Sequence, residues 1–550
     1  TLERVTEFSQ GKPYIKIISH ARRMSAGTAR NTGVKVAQGE VLFFCDGDDL
    51  YFQEHIYLCF QLLNHDPQNP RQASITLSTK KGEVTIDLPN QAVGVLRTGV
   101  YTQDTLHPYW KVAVENSVPQ NLCVRRDCHE FIEGFPEEKI PYNQVTCEDI
   151  SYQNWLSRFF KILKVNVETV EYIRYPGNMF DKQLQKFQTP PDQYQDDTPP
   201  ETRELHGIRQ KIEQERLGYL FEKFSRIQKT PEFLSIINWQ QLGTEYLSRN
   251  QFNLAIQLFT YGAETEPDNL EARNLLAAAY NNLGSALRSQ GNVAQAAEAF
   301  QQALATRPAL SASDSAKVHF NVATSLRDLG DYEQALAYLQ TALDLEPNLT
   351  EGMAERSKLK YQVQLSQRGY QFSQDRFAPL VPIWEQYLHA FVNLPDLRML
   401  ELGSGEGCST CWLLNNLLTA DTARITCVDG FEGNVGTLFD QNIARTETPE
   451  KVRKVAGQAP VVLRSLIPNS FHLAYLSGST VASEVLENLI LAWRLVKPGG
   501  ILILDHYGFH PLGSLEGSPR TAIDAFLTIF APKINVLYQS TQVILEKTTD

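Results

Sequence analysis

At 550 residues the chain is longer than one hydrophobic core organises, so three or four domains are expected. Hydrophobic residues make up 42% and charged residues 21%, a globular balance that excludes a disordered or fibrous protein. The net charge of −12 is spread along the chain, which argues against nucleic-acid binding, since that needs a basic face. The one basic cluster near the start, His20-Ala21-Arg22-Arg23, reads equally as a solvated loop beside an anion site.

The first section, to about Asp181, mixes β-like runs (Val41–Phe44, Val84–Ile86) with helical stretches. In it, the run Gly27-Thr28-Ala29-Arg30-Asn31-Thr32-Gly33 is expected ahead of a short helix, and the apolar strand Val41–Cys45 leads into Asp46-Gly47-Asp48-Asp49. Three carboxylates at one strand end repel one another, a cost relieved when they share a divalent cation. A glycine between two acids leaves room for a diphosphate on the same ion, although Asp-x-Asp is also common in plain turns. The stretch Gln188–Pro200, with two proline pairs, reads as a linker, and Glu201–Ile227 as a helix leading into the next domain.

From about Phe233 to Asn348 the sequence repeats. One unit carries Trp239, Leu242, Gly243, Tyr246, Ala255, Phe259 and Pro267; a second Tyr280, Leu283, Gly284, Leu287, Ala296, Phe300, Ala303 and Pro308; a third His319, Val322, Ala323, Leu326, Ala335, Leu339, Ala342 and Pro347. Small residues at Gly243/Gly284/Ala323 and Ala255/Ala296/Ala335 let two antiparallel helices approach, large residues fill the gaps, and proline ends the second helix. Internal spacings resemble the tetratricopeptide repeat, whose period is about 34 residues, with extra residues such as Glu271–Ala279 either lengthening a helix or forming a loop. Such an array implies a concave face for a protein or peptide partner, or a spacer between flanking modules.

The last section alternates strands and helices: Arg398–Leu402, the loop Gly403-Ser404-Gly405-Glu406-Gly407, a helix Ser409–Leu418, a strand Ile425–Asp429, a strand Phe471–Leu476, a helix Val481–Val496, the turn Lys497-Pro498-Gly499-Gly500, and a strand Ile501–Leu504 ending in Asp505-His506-Tyr507. This order implies a doubly wound parallel sheet with its site at the carboxyl ends of the strands. A glycine loop between strand and helix lets backbone approach a nucleotide, and a carboxylate ending the second strand, Asp429, can accept both ribose hydroxyls.

Leu400–Gly407 and Lys497–Gly500 together resemble class I S-adenosylmethionine-dependent methyltransferases, and the runs Val428–Gly433, Leu463–Leu466 and Asp505–Tyr507 resemble the small-molecule branch found in bacterial multidomain proteins. The resemblance implies that Glu401, Gly403, Gly405 and Gly407 shape the S-adenosylmethionine loop and that Asp429 holds its ribose; an NAD-binding Rossmann domain is the rival reading. Where relatives carry Ile-Asp-Gly-Ser-His, this chain has Leu476-Ser477-Gly478-Ser479-Thr480, which weakens any metal site there. His506 is then the expected general base, because imidazoles titrate near neutrality, and Asp505 orients it or binds a metal. A cofactor-binding domain that no longer catalyses is the alternative.

Ala29-Arg30-Asn31, Asp46-Gly47-Asp48-Asp49, Asn121–Arg126, Gly134–Glu137 and Cys147-Glu148-Asp149 resemble family 2 inverting glycosyltransferases of the A-type nucleotide-sugar fold. The resemblance implies that Arg30 contacts the nucleotide, that Asp46 and Asp48 hold a divalent cation (Mn or Mg) with the nucleotide-sugar diphosphate, and that Asp149 deprotonates the acceptor. The family's first strand–helix–strand unit is expected upstream of Thr1, so this module reads as partial.

The expected architecture is thus multidomain: a partial α/β nucleotide-sugar transferase fold at 1–185, a linker and helix at 186–232, an all-α tetratricopeptide solenoid at 233–350, a connector at 351–375 and an α/β Rossmann-like methyltransferase at 376–550. The expected function is a bacterial bifunctional transferase acting on a glycan or small-molecule hydroxyl, against the alternative of an interaction scaffold with degenerate flanking domains. No secretory leader and no apolar run of about 18 residues is present, so a cytoplasmic protein, or one peripheral to the inner membrane, is expected. The eight cysteines form no disulfide framework, and the lone Cys408-x-x-Cys411 is expected to pack rather than bind metal.

Overall fold

The computed structural model describes residues 2–67, 73–137, 147–195, 199–306, 311–508 and 518–550. The chain divides into two compact units, 1–279 and 280–550, within the long helix Leu270–Ser289.

In the first unit, β1 (Val41–Phe43), β2 (Leu50–Tyr51), β5 (Val95–Tyr101), β6 (Leu122–Arg125) and β7 (Ile162–Glu171) form a sheet in the order β1-β6-β5-β7-β2, while β3 (Ser74–Thr79) and β4 (Gly82–Asp87) make a separate hairpin. The middle strand β5 is buried at six consecutive positions, pairing antiparallel with β6 and parallel with β7. The hairpin covers Leu58, Cys59 and Leu62 of the helix His55–Leu63, which pack with Leu96 and Cys123 of the sheet. The run 27–33 does not precede a helix. It lies inside the helix Ala26–Val36, because the Ser25 hydroxyl accepts from the Thr28 N–H (3.2 Å) and starts the helix one residue ahead of Gly27. The helix expected at Glu201–Ile227 spans Pro200–Arg226.

The repeats form antiparallel helix pairs: Trp239–Ser248 with Phe252–Thr265 in the first unit, Ala312–Asp328 with Tyr332–Leu345 in the second. Between them, Leu270–Ser289 precedes Val293–Ala305. The extra residues of the second repeat lengthen its first helix to 20 residues instead of forming a loop. Gly284 shows why a small residue recurs: a Cβ there would lie 2.7 Å from the Phe300 ring. Pro308 lies outside the described residues. A final helix, Thr350–Arg368, packs on Tyr332–Leu345 and leads into the last domain.

That domain is built on a seven-stranded sheet of β8 (Arg398–Leu402), β9 (Arg424–Asp429), β10 (Val452–Ala456), β11 (Phe471–Leu476), β12 (Val496–Leu504), β13 (Ile534–Gln539) and β14 (Val543–Lys547), in the order β10-β9-β8-β11-β12-β14-β13. The sheet is mixed, not wholly parallel: β10 to β12 run parallel, but β14 pairs antiparallel with both β12 and β13. The period of two along β8 sends Met399 to one core layer, with Trp384, Ile425 and Ile503, and Leu400 and Leu402 to the other, with Trp493 and Phe526. Lys497–Gly500 is not a turn ahead of a strand but a bulge within one: Phe471 pairs with Val496 and Leu473 with Ile501.

Candidate functional site

The loop after β8 turns through three glycines of positive φ: Gly403 (+83°), Gly405 (+49°) and Gly407 (+89°). At Gly403 no side chain could fit, since a Cβ would stand 2.4 Å from the Gly478 Cα in the loop after β11. Gly405 has open space at that position. The Gly403 N–H donates to the Val428 carbonyl (2.9 Å), which ties the loop to the end of β9. There Asp429 faces it: one carboxylate oxygen accepts from the Gly405 N–H (3.0 Å) and the other from the Phe431 N–H (3.3 Å). Gly403 and Asp429 share the wall of a cavity of about 580 Å³ with Gly430, Gly457, Gln458 and Asn488.

Glu401 lies beneath this loop instead of in the cavity. It is fully buried, accepts from Ser409 and Thr410 at the start of the helix Cys408–Asn416, and its carboxyl is pushed up by burial against the opposing pull of those hydroxyls. It therefore anchors helix to strand. Cys411 is buried and Cys408 half-buried in that helix.

Asp505 and His506 follow β12. The Asp505 carboxylate accepts from the Tyr475 hydroxyl (2.6 Å), the Gln542 amide (3.0 Å) and the His506 N–H (2.8 Å), and Gln542 in turn accepts from the Trp384 indole (3.0 Å). His506 adopts φ +61°, a conformation uncommon outside glycine, with its backbone held by this carboxylate. Ser477, at the position where an acid was noted as missing, donates to the Gly403 carbonyl (3.0 Å) and so ties the two loops together. Tyr475, Gln542 and Trp384 carried no signal in the sequence, because they lie far apart along it. Gln458 follows a glycine after β10, and that position beyond a strand end was its only signal.

In the first unit, Arg30 projects from the helix Ala26–Val36 and one of its nitrogens bonds both oxygens of Asp46 (2.9 Å each), while the other reaches Glu148 (3.3 Å). Asn31, next to it, is buried and exchanges two hydrogen bonds of 2.9 Å with the backbone of Phe135, which joins two of the runs singled out in the sequence. Asp48 accepts from the Tyr175 hydroxyl (2.7 Å), and Asp49 from the Ile173 N–H (3.3 Å). Burial and repulsion from Asp48 and Asp46 push Asp49 up to about 7; burial and Glu148 push Asp149 up to about 6. All four aspartates act on the phenol of Tyr172, helping burial to raise it, so Asp46, Asp48, Asp49 and Asp149 share one neighbourhood. Among the described residues, no three of these carboxylates bring their oxygens together as a preformed cluster; the one group of three metal-ligating side chains lies elsewhere.

Three family models match: "Glycosyl transferase family 2" over residues 1–76, "Tetratricopeptide repeat" over 275–347 and "Methyltransferase domain" over 400–507. The first range holds Arg30, Asp46 and Asp48 but not Asp149, and the last holds Glu401 through His506. Among solved structures, the chain is similar to the O-methyltransferase from Bacillus cereus in complex with SAH (18% identity, 39% of this chain and 97% of that one, TM-score 0.28). It is also similar to the O-methyltransferase TomG from Streptomyces achromogenes, involved in tomaymycin synthesis, in complex with SAM (16% identity, 36% and 90%, TM-score 0.26). No curated protein matches. The chain is a multidomain enzyme of the transferase type, with a family 2 glycosyltransferase-like start, a helical repeat region and a Rossmann-like methyltransferase domain. No helix among the described residues is long and apolar enough to cross a membrane.

Proposed function

We propose that the C-terminal domain transfers a methyl group from S-adenosylmethionine to a hydroxyl of a small molecule or glycan. The observation that carries this reading is Asp429, a carboxylate on the cavity wall that faces the glycine loop and already accepts from the Gly405 N–H. The residues suit a nucleoside: Gly405 leaves open space where a side chain would stand, and Asp429 offers two oxygens to vicinal ribose hydroxyls. S-adenosylmethionine, when bound, supplies a methyl group made electrophilic by its sulfonium. Gly405 lets the backbone lie against that ligand, while Gly403 and Gly407 shape the loop by letting it pack on Gly478 and on Phe439. His506 takes the acceptor proton, and Asp505, held by Tyr475 and Gln542, fixes the backbone that presents the imidazole.

The test is methyl transfer from labelled S-adenosylmethionine to a panel of phenolic, sugar and catechol acceptors. His506→Ala is expected to lower turnover by about 10²–10⁴-fold while cofactor binding persists. Full turnover by that variant would remove the imidazole from the mechanism.

A second activity, glycosyl transfer from a nucleotide sugar, is favoured by Asp149, whose carboxyl, pushed up to about 6, lies near the pH at which a general base works best. Asp46 and Asp48 would hold the divalent cation, Asp46 on exchanging Arg30 for it, which leaves that guanidinium to the diphosphate. Manganese-dependent binding of a nucleoside diphosphate that is lost in Asp48→Ala would support this, and metal-independent binding would oppose it. The proposed division of labour keeps transfer at 1–185 and 376–550, with the repeats at 233–350 open to a protein partner, in a cytoplasmic protein.

A further inference from the structure

The helix His55–Leu63 carries His55 and Cys59 one turn apart on one face, and that face packs on Cys123 in the middle of β6. All three side chains are completely buried. The Cys123 sulfur lies 3.8 Å from His55 Nε2, the Cys59 sulfur 3.9 Å from Nδ1, and the three donor atoms fall within 4.8 Å of one another. Nδ1 is also 2.7 Å from the Thr169 hydroxyl on β7, itself fully buried. The Tyr51 ring, 4.3 Å from that of His55, and the edge-on Phe43 ring wall the cluster on other sides.

Free cysteines often fill cores as small hydrophobes, as Cys411 and Cys427 do here. This cluster is different, because a buried imidazole stands between two thiols. Burial alone would raise the Cys59 thiol, but the Cys123 thiol and the His55 ring outweigh it and lower Cys59, while burial and the neighbouring Cys59 raise Cys123. What sets the cluster apart is its geometry: two sulfurs and an imidazole nitrogen, all soft-metal donors, lie within 4.8 Å of one another in a buried core.

We propose that His55 Nε2, Cys59 Sγ and Cys123 Sγ form a buried structural site for a soft d¹⁰ cation, Zn²⁺ or Cu⁺. Metal–sulfur and metal–nitrogen bonds of about 2.3 and about 2.0–2.1 Å put the two ligand atoms about 3.5–3.8 Å apart around a shared ion. The Cys123–His55 separation of 3.8 Å meets that spacing without rearrangement. With Nδ1 protonated and donating to Thr169, Nε2 keeps its lone pair for the ion, the usual way an outer hydrogen bond orients a ligating histidine. Sulfur and imidazole ligands without a carboxylate select soft or borderline metals over magnesium, calcium or manganese. Two thiolates neutralise Zn²⁺, and one thiolate with one thiol neutralises Cu⁺. The ion would staple the helix to β6 and, through Thr169, to β7, beneath the strand β2 that follows the Asp46–Asp49 loop. It would be a different ion from any held by those aspartates.

The test is the metal content of the full chain as purified, followed by cobalt(II) or copper(I) titration of chelator-stripped protein. About one equivalent of zinc or copper, or a sulfur-to-cobalt charge-transfer band that saturates near one equivalent, is expected. Both should disappear in Cys59→Ala and in Cys123→Ala, while manganese is not taken up there. Metal removal is expected to lower the melting temperature of the first unit. Core variants can misfold, so the cobalt titration of the wild-type chain decides alone. A folded wild-type chain that binds neither ion would overturn the proposal. So would a peptide linking Cys59 to Cys123 through a disulfide, lighter by two hydrogens.

Discussion

Gly403→Ala and Gly405→Ala add the same methyl group to one loop two residues apart, yet the geometry sets very different costs. At Gly403 the φ of +83° is unfavourable for alanine, and the new Cβ would stand 2.4 Å from the Gly478 Cα and 2.5 Å from its nitrogen. Backbone cannot swing away as a side-chain tip can, so the loops after β8 and β11 must separate. The left-handed conformation costs about 1–2 kcal/mol and the overpacking about 1–3 kcal/mol more, together about 2–5 kcal/mol. At Gly405, with φ +49° and nothing within 4 Å, only the conformational cost of about 1–2 kcal/mol applies. For a domain of this size each kcal/mol moves the melting temperature by about 2–4 °C. Gly403→Ala should therefore lower it by roughly 4–20 °C and Gly405→Ala by roughly 2–8 °C. The assay is thermal unfolding of the full chain followed by tryptophan fluorescence, to which the buried Trp384 and Trp412 report from this domain. A Gly403→Ala chain as stable as wild type, or more stable than Gly405→Ala, would refute the reasoning.

Other outcomes follow from the same contacts. Gly284→Leu should destabilise the repeats by at least about 2 kcal/mol, because even a Cβ would reach within 2.7 Å of the Phe300 ring; proteolysis within Leu270–Ala305 would report it. Asp49 and Asp149 ionise near 3.8 in the unfolded chain but near 7 and 6 when folded, so between about pH 4 and pH 7 the folded state holds the extra protons. Their contribution to stability is complete below pH 4 and is lost as the pH rises through those folded values. Asp49→Asn should then raise stability at neutral pH by about 1–2 kcal/mol, after allowing for solvent screening, as a urea midpoint compared with that at pH 4 would show. Gln542→Ala should lower methyl transfer without loss of cofactor binding, since it frees the Asp505 carboxylate from one of its two side-chain donors. An unchanged rate would show that this contact has no part in the reaction.

The elements that the sequence made legible are those whose pattern is local. The strand–glycine loop–helix run at 398–416, the aspartate ending β9 and the small-large alternation of the repeats each follow from neighbours within a few residues. What stayed hidden depends on distant partners. Nothing near Ser477 announced that its hydroxyl would reach the Gly403 carbonyl, and nothing near Asp505 announced Gln542 and Trp384. Arg30 and Asp46 were both singled out, yet their pairing arises only when the helix Ala26–Val36 packs beside the end of β1. The antiparallel strand β14 was missed because Val543–Leu545 is a short apolar run whose direction is set by the hairpin with β13, not by its own residues.

Calorimetric titration of S-adenosylmethionine into the full chain bears most directly on the account. Saturable heat at one cofactor per chain is predicted, with affinity reduced by about tenfold or more in Asp429→Ala, as expected for losing hydrogen bonds to a charged group. No heat at millimolar cofactor, or equal affinity in that variant, would contradict it.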